Sequence, residues 1–173
     1  MNEALSAGLP PPDPRGLMKI RRFRHGDEMA LFRVFFSSVH TIASRYYTRE
    51  QIAAWAPADI DPEQWARHMR ELRPFIVEMN GEIAGYADLQ PNGYIDHFFV
   101  SGACSGQGVG TLLMNRLHEE AIRLGVSALT SNVSQAAERF FIRHGFHVVE
   151  RGFPVCRGVR LQQAIMRKNL TRQ

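Results

Sequence analysis

The chain has 173 residues, 45% hydrophobic and 22% charged, which fits one globular domain of ordinary size. No apolar run approaches a membrane-spanning length, no basic-then-apolar leader is seen, and two cysteines, Cys104 and Cys156, make neither a disulfide framework nor a metal-ligand spacing. The expectation is a cytoplasmic protein with no membrane partner; its net charge of +4 comes from scattered arginines, which describe a solvated surface better than a nucleic-acid patch.

Residues 1–17 read as a proline-rich tail, because Pro10, Pro11, Pro12 and Pro14 offer no periodic apolar face. A first strand is predicted over Met18–Phe23. Asp27 is placed to cap a helix that carries Leu31, Phe35 and Val39 at helical spacing. Thr48 and Gln51 form a T-x-x-Q capping box for a second helix. Asp61 followed by Pro62 opens a third. Phe75–Met79 and Ile83–Leu89 are predicted strands around an Asn80-Gly81 hairpin turn. Tyr94–Val100 reads as one central strand. A helix follows from about Gly108 to Leu124, stopped by Gly125. Val126–Ser131 is the next strand, Ser134 can cap a late helix, and Phe146–Glu150 and Leu161–Met166 close the sheet. The fold class is α/β: one domain over 18–170, with a mixed sheet of about seven strands and helices on both faces.

The stretch from Phe98 to Gly110 carries the chemistry. It passes from the end of an apolar strand, through a loop with Gly106, Gly108 and Gly110, into a helix N-terminus. Backbone N–H groups in such a loop can converge on one point, and the helix dipole adds positive charge there, so the segment suits a pyrophosphate. The Walker A pattern fails for want of Gly-Lys-Ser/Thr, and the dinucleotide fingerprint fails at Leu113.

Together, Phe98-Phe99-Val100, Gly106-Gln107-Gly108-Val109-Gly110 and Ala137-Glu138-Arg139-Phe140-Phe141-Ile142-Arg143-His144-Gly145-Phe146 resemble the GCN5-related N-acetyltransferase family over residues 18–170. The resemblance implies acetyl-CoA as acyl donor and an amine as acceptor. It implies that Ser105 to Thr111 hold the pyrophosphate and that Phe98, Phe99 and Val100 line the pantetheine arm, with Ser134 and Phe141 also on the coenzyme. Four positions depart from the family pattern: Ser105 stands for Arg or Gln, with Gln107 as partial compensation, Gly102 for Pro, Ser134 for Asn, and Phe141 for the tyrosine that often protonates the thiolate.

For the proton from the amine, Asp96 is the candidate base or substrate anchor, with an ordinary pairing to a loop N–H or an arginine as the alternative. Strand alternation lets only one of Asp96 and His97 face the cleft, and Tyr94 shares the Asp96 face. Tyr47, Gln51 and Trp55, four residues apart, can line the acceptor side. Cys156 is either a proton donor or buried sulfur. His144 and His147 form an H-x-x-H without a third ligand and His25, His40, His68 and His118 look scattered, so no metal is expected. The rival reading is an acyl-CoA-binding regulatory module without turnover. The acceptor's identity and the oligomeric state, a homodimer included, are not readable from the residues.

Overall fold

The computed structural model describes residues 17–171. All but the last residue of the expected proline-rich tail lies outside that range. β1 is Met18–Arg22, and three helices follow: α1 (Glu28–Ser37), α2 (Arg49–Trp55) and α3 (Pro62–Leu72). A π-helical turn over Ser38–Ile42 and a 3-10 turn over Ala43–Arg45 join the first two. Then come β2 (Phe75–Met79), β3 (Glu82–Ala87), β4 (Tyr94–Ile95) and β5 (Phe98–Val100). The long helix α4 (Val109–Leu124), β6 (Ala128–Ser134), α5 (Glu138–Arg143) and β7 (His147–Gly152) follow. The short hairpin β8 (Val155–Cys156) with β9 (Val159–Arg160), and then β10 (Gln163–Asn169), complete the described chain.

The strands form a four-stranded sheet in the order β1-β2-β3-β5, a second in the order β4-β6-β10-β7, and the β8–β9 pair. Most pairings are antiparallel; β4 beside β6 is parallel. Helices cover both faces, and alternation along β2 shows how. Phe75 and Val77 join the core under α4, whereas the intervening Ile76 joins the core under α1, α2 and α3.

Local signals explain several boundaries. The Thr48–Gln51 capping box is reciprocal. Asp61 accepts from the Glu63 and Gln64 amides. Asn80 and Gly81 both take positive φ, 54° and 82°, as a type I′ hairpin turn requires. Other expectations are corrected. Asp27 does not cap α1: its own backbone is already helical, and its carboxylate is gripped by Arg21 Nη1 and Nη2 at 2.8 and 3.0 Å and by the Arg24 amide at 2.7 Å. Nor does Ser134 cap the late helix. Pairing with β10 carries β6 out to Ser134, opposite Gln163, and α5 starts only at Glu138 behind Ala137. The single strand expected over Tyr94–Val100 is two short strands in different sheets, because the ladder breaks at Asp96 and His97.

The α4 face anchors the first core. Leu113→Ala, at a side chain with 0% exposure, is expected to lower unfolding free energy by about 2–5 kcal/mol. Ile122→Ala on the same helix, at 78% exposure, should stay within about 0.5 kcal/mol of the parent. Urea denaturation of both variants checks the pair.

Candidate active site

Two cavities meet in this fold. The first, about 550 Å³, lies between the end of β5, the glycine loop and α5. Gly106 and Gly108 hold φ of 75° and 90°, a conformation in which a side chain is strained. Gly108 is the N-cap of α4 and offers no side chain to the first turn, whose first intrahelical bond runs from the Leu112 amide to the Gly108 carbonyl. The amides of Val109, Gly110 and Thr111 precede that bond and sit on the cavity wall, at the positive end of a 16-residue dipole. Gly110 is also a packing requirement: a Cβ there would lie 3.1 Å from the Phe140 ring.

Phe98, Phe99, Val100, Ser105, Gly106, Gly108 and Ser134 line the same cavity, as does Val109, which is otherwise buried. Gln107 does not; its amide turns back to the Ala103 carbonyl at 3.3 Å. Phe141 is absent from the wall as well. It is 2% exposed, packed edge-on against Phe98 and Phe146 in the core, and the neighbouring Phe140 faces the cavity instead. Arg143, one turn beyond Phe140, adds a guanidinium to the wall. The sequence reading missed it, although its i+3 spacing from Phe140 puts it on the same helix face.

The second cavity, about 580 Å³, is lined by Phe35, Trp55, Trp65, His68, Tyr94, Asp96, His97, Phe99 and Arg157 among others. Trp55 and Phe99 line both cavities. Asp96 and His97 both face the second one, against the expectation from strand alternation. The reason is Asp88, just past β3. Its Oδ1 accepts the Asp96 amide at 3.0 Å and the His97 amide at 2.7 Å, while its own N–H donates to the His97 carbonyl at 3.1 Å. The carboxylate takes over where the ladder stops, and the chain turns rather than alternates.

His68, which looks isolated in the sequence, arrives from α3 and sets Nε2 at 3.2 Å from Asp96 Oδ2. The hydrogen bond that His68 donates to Asp96 raises the His68 pKa above its ordinary value, and the same bond lowers that of Asp96. Burial pushes His97 down to about 4, so its imidazole is neutral at pH 7. Its Nδ1 lies 3.0 Å from the buried Tyr86 hydroxyl. Burial also drives Asp88 up, to about 6, and its Oδ2 has no hydrogen-bond partner among the described residues.

The other candidates are elsewhere. The Tyr47 hydroxyl donates to the Gln162 carbonyl and accepts the Gln135 amide at 3.0 Å; Gln51 serves the capping box and donates to the Arg160 carbonyl at 2.9 Å. Both tie the start of α2 to the C-terminal strands, and of that trio only Trp55 reaches the cavities. The Cys156 thiol donates to the Ala54 carbonyl at 3.4 Å and lines neither cavity; the adjacent Arg157 does.

The chain and its fold have known counterparts. A family model described as an acetyltransferase (GNAT) domain matches residues 43–168. The chain is 30% identical over 150 residues, 87% of its length and 95% of the relative's, to the uncharacterized N-acetyltransferase YafP of Escherichia coli (strain K12). The chain belongs to the GCN5-related N-acetyltransferase family. A crystal structure of a GCN5-related N-acetyltransferase from Rhodopseudomonas palustris superimposes with a TM-score of 0.84 at 28% identity, covering 88% of this chain and 95% of that one. At the level of fold alone, yncA from Salmonella typhimurium, solved with its cofactor acetyl-CoA, has a TM-score of 0.65 at 22% identity, over 90% of this chain and 95% of that one.

Two predictions follow from the buried groups. Asp88 has a raised pKa, so the native state binds more protons than the unfolded chain and stability falls as pH rises from about 4 through about 6. Asp88→Asn keeps the Oδ1 acceptor and removes the buried charge. It should gain up to about 3 kcal/mol relative to the parent at pH 7 and lose that advantage near pH 4, as read by denaturation at both pH values. Phe141→Tyr, which restores the residue usual in the family, should place a hydroxyl in the apolar core. It should lower stability by about 1–3 kcal/mol without raising turnover; melting and steady-state rates check both halves.

Proposed function

We propose that the protein transfers the acetyl group of acetyl-CoA to a primary amine by direct attack within a ternary complex. The observation that carries this reading is that Trp55 and Phe99 line both cavities, so a thioester from one side and an amine from the other meet there. The loop amides and Arg143 hold the pyrophosphate. β5 is the outermost strand of its sheet, and its free edge offers backbone groups to the pantetheine arm and one N–H to the thioester carbonyl.

Asp96 draws the acceptor ammonium in, and the proton passes to His68, whose raised pKa makes it the better proton acceptor of the pair. The neutral amine then attacks the carbonyl carbon. The C–N bond forms, the carbonyl electrons move to oxygen, and their return breaks the C–S bond with its electron pair leaving on sulfur. The thiolate takes the second amine proton and leaves as CoA thiol. Thiols ionise near pH 8.5, several units below an alcohol or an amine, so a thiolate is a tolerable leaving group without the missing tyrosine. His97, neutral and held by Tyr86, lines the wall without sharing this charge.

Acetyl-CoA and CoA should each raise the melting temperature, by the amount that binding to the folded state alone dictates. Asp96→Asn and His68→Ala should keep that shift while losing about 10²–10⁴ in kcat/KM for the amine. In the parent, the rate should climb as pH rises through a pKa above the ordinary 6.5 of histidine, and His68→Ala should erase that limb. A normal acetyl-CoA shift with no acetylation across an amine panel would favour the regulatory module; no shift with either ligand would defeat the coenzyme site itself.

A further inference from the structure

One ligand-type atom each from His68, Asp96 and His97 lies within 4.8 Å of the others. Bonds of about 2.0–2.2 Å from a metal to nitrogen and oxygen set neighbouring ligand atoms roughly 3.0–3.5 Å apart. His68 Nε2 and Asp96 Oδ2 are already at 3.2 Å. His68 stands partly exposed on α3, where its side chain has room to adjust to an ion.

The two ligands on the strand break are held in advance. Asp88 pins both of their backbone amides. The Tyr86 hydroxyl sits on His97 Nδ1. When Nδ1 donates its proton to that oxygen, Nε2 keeps its lone pair free, the arrangement by which an outer partner orients a metal-bound imidazole. Two imidazoles and one carboxylate favour zinc, cobalt or nickel over magnesium or calcium, which prefer all-oxygen sets. All three side chains line the 580 Å³ cavity, so the remaining coordination positions open onto it.

We propose that His68, Asp96 and His97 form a binding site for a divalent transition metal of the zinc class, and that the bound ion shuts the acceptor cavity. The metal site stands on the geometry. The shut-off rests on the acetyl-transfer reading, because the ion occupies the two groups that would meet the ammonium.

The test uses the full-length chain without an affinity tag. Cobalt(II) is titrated by its visible absorption and zinc(II) by calorimetry. One equivalent should bind, and the cobalt spectrum should intensify as the ion leaves its six-coordinate aqua form. His68→Ala and Asp96→Asn should each weaken zinc binding at least about tenfold. Tyr86→Phe, which removes no ligand, should also weaken it, by about 10–100-fold, with the acetyl-CoA melting shift as the check that the fold is retained. His118→Ala, at an imidazole engaged with Lys168, should change nothing. Zinc binding indifferent to the His68 and Asp96 substitutions, or a cobalt spectrum that stays aqueous, overturns the site. In turnover assays zinc should compete with the amine and leave the acetyl-CoA shift intact. Zinc that binds this site without slowing an active enzyme overturns the shut-off alone. If no amine is acetylated under any condition, the functional reading fails while the cobalt titration still decides the metal site.

Discussion

The Asp88 carboxylate accepts two consecutive backbone N–H groups, those of Asp96 and His97, where β4 and β5 part company. Buried amides must be paired, and a strand leaving its ladder strands its own. Asp88, 1% exposed, supplies the acceptor from inside the protein and lets the chain change sheets in two residues. The 580 Å³ cavity depends on that turn. A continuous strand would send Asp96 and His97 to opposite faces, and only one of them could line it. The arrangement costs something: one carboxylate oxygen has no partner among the described residues, and burial raises the group's pKa. A protein that keeps such a cost at the edge of its reaction cavity uses the carboxylate for geometry rather than for stability.

Electrostatics divides the work between the two cavities. Around the cavity proposed for the coenzyme, the positive elements are the amides at the α4 N-terminus, beside Gly106 and Gly108, and Arg143. On the acceptor side the groups are titratable and linked, with Asp96 and His68 stabilising each other's charged forms and His97 kept neutral by burial. Donor binding is therefore expected to depend on ionic strength more than on pH, and amine chemistry the reverse. Trp55 and Phe99 line both cavities and present aromatic surface where the two join.

Several parts of this were legible in the residues because their causes are local. The Thr48–Gln51 box, the Asn80-Gly81 turn and the Gly125 stop each depend on atoms within a few positions of one another, and each formed where expected. The glycine loop was legible for the same reason, and so was the family. Along α4 the apolar Val109, Leu113 and Leu117 recur at helical spacing and are buried together. Where the reading went wrong, a distant partner outbid the local rule. Asp27 is drawn off its capping role by Arg21. Ser134 is held in β6 by its pairing with Gln163. Tyr47 and Gln51 spend their polar atoms on the C-terminal strands instead of the cavity.

The sequence by itself determined an α/β chain whose fourth helix begins at a glycine-rich loop, because backbone freedom, capping and hydrophobic period are short-range properties. Only the tertiary structure decided that Phe140 rather than Phe141 faces the coenzyme cavity, since the rotation of a short helix is set by what packs beneath it. It alone brought His68 on α3 to Asp96, 28 positions away in the chain, because no spacing rule links residues that meet across a cavity. It alone broke the central strand, for the acceptor that makes the break affordable is a side chain on a neighbouring strand's end, and its reach is a fact of folding rather than of pattern.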